Sequence, residues 1–290
     1  MSSQPQPGVI RATAALGRDL SGPVAVLSAV IAGICLAVGL VMSGAALAGH
    51  VFGAWRSPTS LTPGLIGAAM VGVAPGLFTV GWARMWEEAR TLVIPTAIVL
   101  TGLFGVSVFN AGELQIANGA AILVAVFSLG WLAVLGLLAP VAMGCVLLQL
   151  RSPREVPPAG APVPLPPWSR PLLSLVGSAW FGLGAGLLFL PGYWGALLPW
   201  QANRADAQGL GVWAVAIGTG VLGALVENDL ERVRPALIAL PGIALATGVV
   251  LAVHAQDVDW ITGPGAAVAG LVAALAACGV VGEWLRRRGS

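Results

Sequence analysis

The stretch "GWARMWEEARTLVI" (Gly81–Ile94) sets Trp, Arg and Glu between two apolar runs, and "ALVENDLERVRPAL" (Ala224–Leu237) repeats the arrangement further on. Each box holds Glu and Arg three residues apart, Glu87 with Arg90 and Glu231 with Arg234. That spacing lets the two side chains meet on one helical turn, an interaction worth about 0.2–0.5 kcal/mol. Charged residues make up 9% of the 290, against roughly 25% in a soluble domain. Charges this scarce belong where water reaches them, so the boxes are read as polar turns between membrane spans.

The runs on either side have the length a bilayer demands. About 20 apolar residues cross the roughly 30 Å hydrocarbon layer as a helix. Eight stretches qualify: Val24–Ala48, Leu61–Trp82, Leu92–Phe109, Ala120–Leu148, Leu172–Leu190, Leu210–Val226, Ala236–Val253 and Ala266–Val281. All are continuous in Leu, Val, Ala and Gly without period-2 alternation, which selects helices over barrel strands. The predicted fold class is an all-α membrane protein of eight transmembrane helices.

Arginine sets the orientation. All 14 basic residues are Arg, a high-GC codon bias rather than chemistry. With the N-terminus cytoplasmic, only Arg56 and Arg204 fall outside and the other twelve fall inside, in short segments near helix ends. This is the positive-inside pattern, and it places both termini in the cytoplasm of a bacterial plasma membrane. Trp55, Trp82, Trp86, Trp168, Trp194, Trp200, Trp260 and Trp284 lie at the expected interfaces as an aromatic belt, whereas Trp131, Trp180 and Trp213 lie deeper, between helices. The first apolar run exceeds the roughly 7–15 residues of a signal-peptide core and is read as a retained span.

The segment "RSPREVPPAGAPVPLPPWSR" (Arg151–Arg170) is too rich in Pro for helix and is expected to form an extended, solvated connector. It divides the chain into a disordered cytoplasmic N-terminus (1–20), a four-helix unit (21–150), the linker (151–170), a second four-helix unit (171–285) and a basic tail (286–290). Shifting the second unit back by 144 residues lays Gly211 on Gly67, Gly220 on Gly76, Glu231 on Glu87, Arg234 on Arg90 and Asp257 on Glu113. With small gaps, Trp200 falls on Trp55. The polar and Trp matches in one register predict a tandem duplication. Four spans per unit is an even number, so the two repeats are expected to be parallel, related by an axis near the membrane normal.

Candidates for chemistry are few. No predicted span has a charge in its central third, which disfavours an ion-coupled carrier. "FGLGAGLLFLPG" (Phe181–Gly192) lies inside a span and lacks the Lys of a phosphate loop. Its Gly182/Gly186 pair, like Gly72/Gly76, suits close helix packing. Cys35, Cys145 and Cys278 lie in apolar runs without CxxC spacing, so neither disulfide nor thiolate metal site is expected. Outer helix ends gather His50, Glu113, Asp206, His254, Asp257 and Asp259. His50 and His254 end separate spans at similar depth and could ligate a haem iron or a metal. No HExxH or CxxCH spacing accompanies them; surface residues are the expectation, with no cofactor and no metal. The boxes Glu87, Arg90, Glu231 and Arg234 are expected to be solvated hairpin ends that fix topology, tolerant of a single Arg→Ala change. The net charge of +2 gives no footing for nucleic acid.

Tryptophan before a polar turn, a helix opening in Gly, and a Glu/Arg box leading into "RPAL" together resemble a class of uncharacterised multi-pass membrane proteins of high-GC bacteria. The resemblance covers mainly Trp55–Glu113 and Trp200–Asp257 and implies no activity. The expected role is a non-enzymatic accessory or scaffold subunit whose partners are the lipid bilayer and other membrane proteins. The alternative is a permease-like carrier or channel for a small neutral or apolar solute, its path between the two units. A membrane enzyme comes third.

Overall fold

In lipid a backbone must satisfy its own polar groups, and long Leu/Val/Ala/Gly runs do so by closing the helical ladder. A computed structural model describes residues 16–116, 121–157 and 162–289. Among these, eight helices are long and apolar enough to cross a bilayer. They are α1 (Gly22–Leu47), α2 (Leu61–Val80), α3 (Trp86–Phe109), α4 (Ile122–Arg151), α5 (Ser169–Phe189), α7 (Arg204–Glu227), α8 (Arg234–Val253) and α9 (Gly263–Gly289). A short α6 (Pro191–Gly195) follows the break that Pro191 makes after α5. The chain is a multi-pass integral membrane protein.

Two helices form the centre. Within its most apolar window α2 is 78% buried and α7 is 50% buried, more than any other span. The packing is crossed: α2 lies against α1 and α8, and α7 lies against α5 and α3. Outer contacts of α3 with α4 and of α8 with α9 complete the body. The α2–α8 crossing is backbone on backbone, because a Cβ added at Gly72 would run into the main chain of Gly242 and Ile243. Small residues give this approach, the usual route to tight association where no hydrophobic force acts between helices. The Gly182/Gly186 pair behaves otherwise: Gly182 faces open space and Gly186 lies against the Trp194 ring, while Gly177 and Gly184 make the contact with α7.

One end of the bundle collects both described chain ends. A strand β1 (Gly17–Arg18) pairs antiparallel with β2 (Arg154–Val156), and Leu20 N–H donates to the Arg84 carbonyl at 3.1 Å. Residues 17–20 are therefore paired with the α2–α3 turn and the linker, not loose; residues 1–15 of the expected disordered segment lie outside the described residues, as does linker 158–161. The described linker is not simply solvated either. Leu165 is buried, and Val163 exchanges hydrogen bonds with Leu230 (2.8 Å) and the Asp229 carboxylate (3.1 Å). The basic tail continues α9 through Arg286–Arg288, where cations complement the negative helix end.

The aromatic belt divides. Trp82, Trp168 and Trp284 are exposed as a lipid-facing belt requires, but Trp55, Trp86 and Trp200 are buried in the protein. They lie at the expected depth yet turn inward, because loops and neighbouring helix ends close over them.

Candidate functional site

On the end away from the termini, hydrogen-bonding side chains from both halves converge on Asp206. Asn203 caps α7, its side-chain oxygen accepting from the Asp206 N–H at 2.8 Å. An acid in this first turn also complements the helix dipole. Asp206 is 0% exposed, correcting its expected place among surface residues. Its Oδ1 accepts from the Trp55 indole N–H at 2.9 Å and the Ser57 hydroxyl at 2.7 Å. Its Oδ2 has no hydrogen-bond partner among the described residues.

Trp55 is held in turn. Its backbone bridges to Leu114, and its ring meets Trp131 edge-to-face with centroids 6.0 Å apart. The Gln115 amide donates to the Gly53 and Trp55 carbonyls, and Trp131 donates to the Ser107 hydroxyl at 3.2 Å. Across the bundle Trp200 makes the converse contact, its indole donating to Thr62 Oγ1 of α2 at 3.1 Å. Backbone carbonyls are exchanged too: the Thr59 hydroxyl reaches that of Gln201 at 3.5 Å and the Asn203 amide donates to that of Arg56. The site holds a carboxylate shielded from water and gripped by side chains of both halves.

Asp206→Asn keeps an acceptor for Trp55 and Ser57 and removes the buried charge, so stability should change by less than about 1 kcal/mol. Trp55→Phe deletes a donor to a buried carboxylate and should cost about 1–3 kcal/mol. Thermal unfolding of the two variants in detergent checks the order; Asp206→Asn as the worse of the two would contradict this reading of the site.

The two histidines lie in different surroundings. His254 is buried, with Nδ1 at 3.0 Å from the Asp257 carboxylate and Nε2 at 3.0 Å from the Ala46 carbonyl. Both ring nitrogens are thus engaged, Nε2 tying the end of α8 to the end of α1 and Nδ1 the turn that follows α8, while His50 is exposed. Among the described residues no three His, Cys, Asp or Glu side chains gather as a metal-binding group. Beside this end lies an open bowl of about 1220 Å³, its polar lining including Asn203, Arg204, Asp257 and Asp259.

At the opposite end the boxes find partners that their spacing does not suggest. Glu87 is buried and binds Arg18, through the Arg18 N–H at 2.8 Å and its guanidinium at 3.1 Å. Arg90 instead reaches across to Glu227 at the end of α7. The Glu227 side chain is 2% exposed, Arg90's 26%. Glu231 pairs with Arg286 of α9 at 3.0 Å, and Arg234 opens α8 exposed. The helix-turn pairing predicted within each box gives way to ion pairs between elements; α7 ends at Asn228 in the left-handed region (φ 48°), and its last residue, Glu227, meets Arg90 of α3.

Between the halves, mid-bundle, lies a void of about 60 Å³ bordered by α1, α2, α3, α7 and α8. Its border is apolar apart from Thr91, Thr96 and the Trp213 indole. This is the volume of one or two water molecules, far below the roughly 300–1,000 Å³ of a solute pocket. No family model, curated protein or solved structure matches the chain.

Proposed function

We propose that this protein is a non-enzymatic accessory or scaffold subunit of a bacterial plasma membrane, built as two parallel four-helix repeats with cytoplasmic termini. The observation that carries the role is the closed centre: Gly72 on Gly242, a void of about 60 Å³, and no charged side chain on its lining. A carrier needs a solute-sized site at this depth, and the packing favours a static body over a moving one.

The repeat is supported by reciprocal contacts. Gly39 lies against Gly67, Met70 and Val71, and Gly184 lies against Gly211, Ala214 and Val215; the partners are 144 residues apart and the two approaching glycines 145. Across the halves, Gly76 meets Pro235 and Ala239 while Gly220 meets Thr91 and Pro95, again 144 apart with the halves exchanged. Trp55 to Asp206 and Trp200 to Thr62 follow the same exchange. Such reciprocity is what a two-fold axis along the membrane normal produces.

Purification into nanodiscs directly from membranes, with mass measurement and vesicle efflux, tests the role. The expected particle is heavier than one 29.2 kDa chain in lipid, and vesicles carrying it leak small neutral solutes no faster than empty ones. A lone chain that passes such a solute selectively would establish the permease instead. For orientation, Asp259→Cys should react with an impermeant maleimide in intact cells and Pro153→Cys only after lysis; the reverse pattern would invert the topology.

A further inference from the structure

A second cavity, of about 300 Å³, lies between α5 and α9 at the end of the bundle that holds the termini. Its floor is α7 and α8, and its end is closed by Leu165 and Trp168 of the linker. Along α9 the face turned to it reads Ala274, Ala277, Cys278, Val281, Gly282 and Leu285, a helical stripe about 17 Å long. The corresponding space between α1 and α4 is only about 10 Å³. There α4 presses Leu135, Leu138, Ala142 and Val146 into the body. By contrast α9 buries Leu275 and three glycines and leaves Ala277 exposed. Small side chains on α9 thus leave a dry slot as long as much of an acyl chain, within spans that lie in the bilayer.

The rim of the slot is basic. At the same end stand Arg170, Arg232, Arg286, Arg287 and Arg288 with Glu227, Asp229, Glu231 and Glu283, five cations to four carboxylates. Arg286 is held by Glu231 and Glu283. Arg287, 74% exposed, shares Glu283, and Arg288 stacks over Trp284 at 3.8 Å. Exposed Trp168 and Trp284 lie at the same level, where indoles meet lipid headgroups. A surplus of arginine beside an apolar slot between helices is the arrangement that recognises an anionic headgroup.

We infer that the slot between α5 and α9 binds one anionic phospholipid, with an acyl chain along Ala274–Leu285 and its phosphate at Arg287 and Arg288. The inference needs only that the helices lie in a bilayer and holds whether or not the protein is a scaffold. The occupant is a lipid rather than a partner helix, because a slot of about 300 Å³ is at the lower end of small-ligand cavities.

Native mass spectrometry of the full chain titrated with phosphatidylglycerol or phosphatidylcholine tests this. One phosphatidylglycerol should be retained per chain at energies that strip detergent, in preference to phosphatidylcholine. Ala277→Phe, at an exposed position, should abolish retention of both. Replacing Arg287 and Arg288 by Gln should lower the preference by roughly fivefold for each arginine removed. In a Cys35→Ala/Cys145→Ala background, phosphatidylglycerol should also slow alkylation of Cys278 several-fold, a readout that does not depend on the Phe variant folding. Equal retention of the two lipids, undiminished retention by Ala277→Phe, or an unchanged Cys278 rate would each overturn the assignment.

Discussion

Arg90→Ala should cost this protein about 3 kcal/mol, whereas Arg234→Ala should cost less than about 0.5 kcal/mol. The two arginines occupy matching places in the sequence, and a solvated-turn reading treats them alike. Their surroundings differ. Arg90 neutralises Glu227, whose side chain is 2% exposed; among the described residues Glu227 Oε2 already lacks a hydrogen bond, with the Arg232 guanidinium at 4.0 Å. Deleting Arg90 strands a buried carboxylate at a junction between the halves, and its own 26% exposure sets the loss toward the lower end of the 3–5 kcal/mol typical of such breaks. Position 83, the counterpart of Glu227, is Ala, so Arg234 has no matching acid and sits exposed. Adding Glu227→Gln to Arg90→Ala removes the stranded charge and should restore most of the loss. A thermal-unfolding cycle in detergent reads all four proteins; equal, small effects of the two Ala variants would contradict a structural ion pair.

The second large effect belongs to Gly72. A Cβ there meets the main chain of Ile243 and Gly242, which cannot swing aside as a side-chain tip can. Gly72→Val should therefore cost at least about 3 kcal/mol, the upper range of overpacking, by prising α2 from α8. Gly182→Ala is the control within the other GxxxG. Nothing lies within 4 Å of its Cβ position, so Ala should be neutral or stabilise by up to about 1 kcal/mol through helix propensity. Expression and unfolding temperature in one detergent compare the two. A tolerated Gly72→Val would mean that the α2–α8 crossing is looser than described.

These expectations mark how far the sequence carries. The eight spans were legible because a bilayer imposes one length and one composition on every crossing helix, and each apolar stretch became a helix within a few residues at most ends. Exceptions arise where polar residues extend a helix: α7 starts at Arg204, not Leu210, because Asn203 caps it and Asp206 suits its first turn. The partners of the boxes were not legible, since Arg90 and Glu227 lie 137 positions apart and only the folded bundle brings them together. Asp206 was visible as an outer-end acid, but its burial depends on Trp55 arriving from the other half. One sign was present in the letters: Thr62 and Asp206 are 144 apart and each lies a few residues after a matched Trp. The slot beside α9 was the least legible, because its cause is what the stripe Ala274, Ala277, Cys278 and Gly282 lacks.

Reciprocal packing of the two halves, as proposed above, is tested most directly by paired cysteines at the end of the bundle away from the termini. In a chain lacking the three native cysteines, Arg56→Cys with Asn203→Cys, and Thr59→Cys with Gln201→Cys, place one thiol on each half where a side chain of one half already donates to a carbonyl of the other. After mild oxidation in membranes and proteolytic cutting of the linker, both pairs should hold the two fragments together in non-reducing gels. Cross-links between chains only, or a bond in one pair and not its counterpart, would contradict reciprocal packing of the halves.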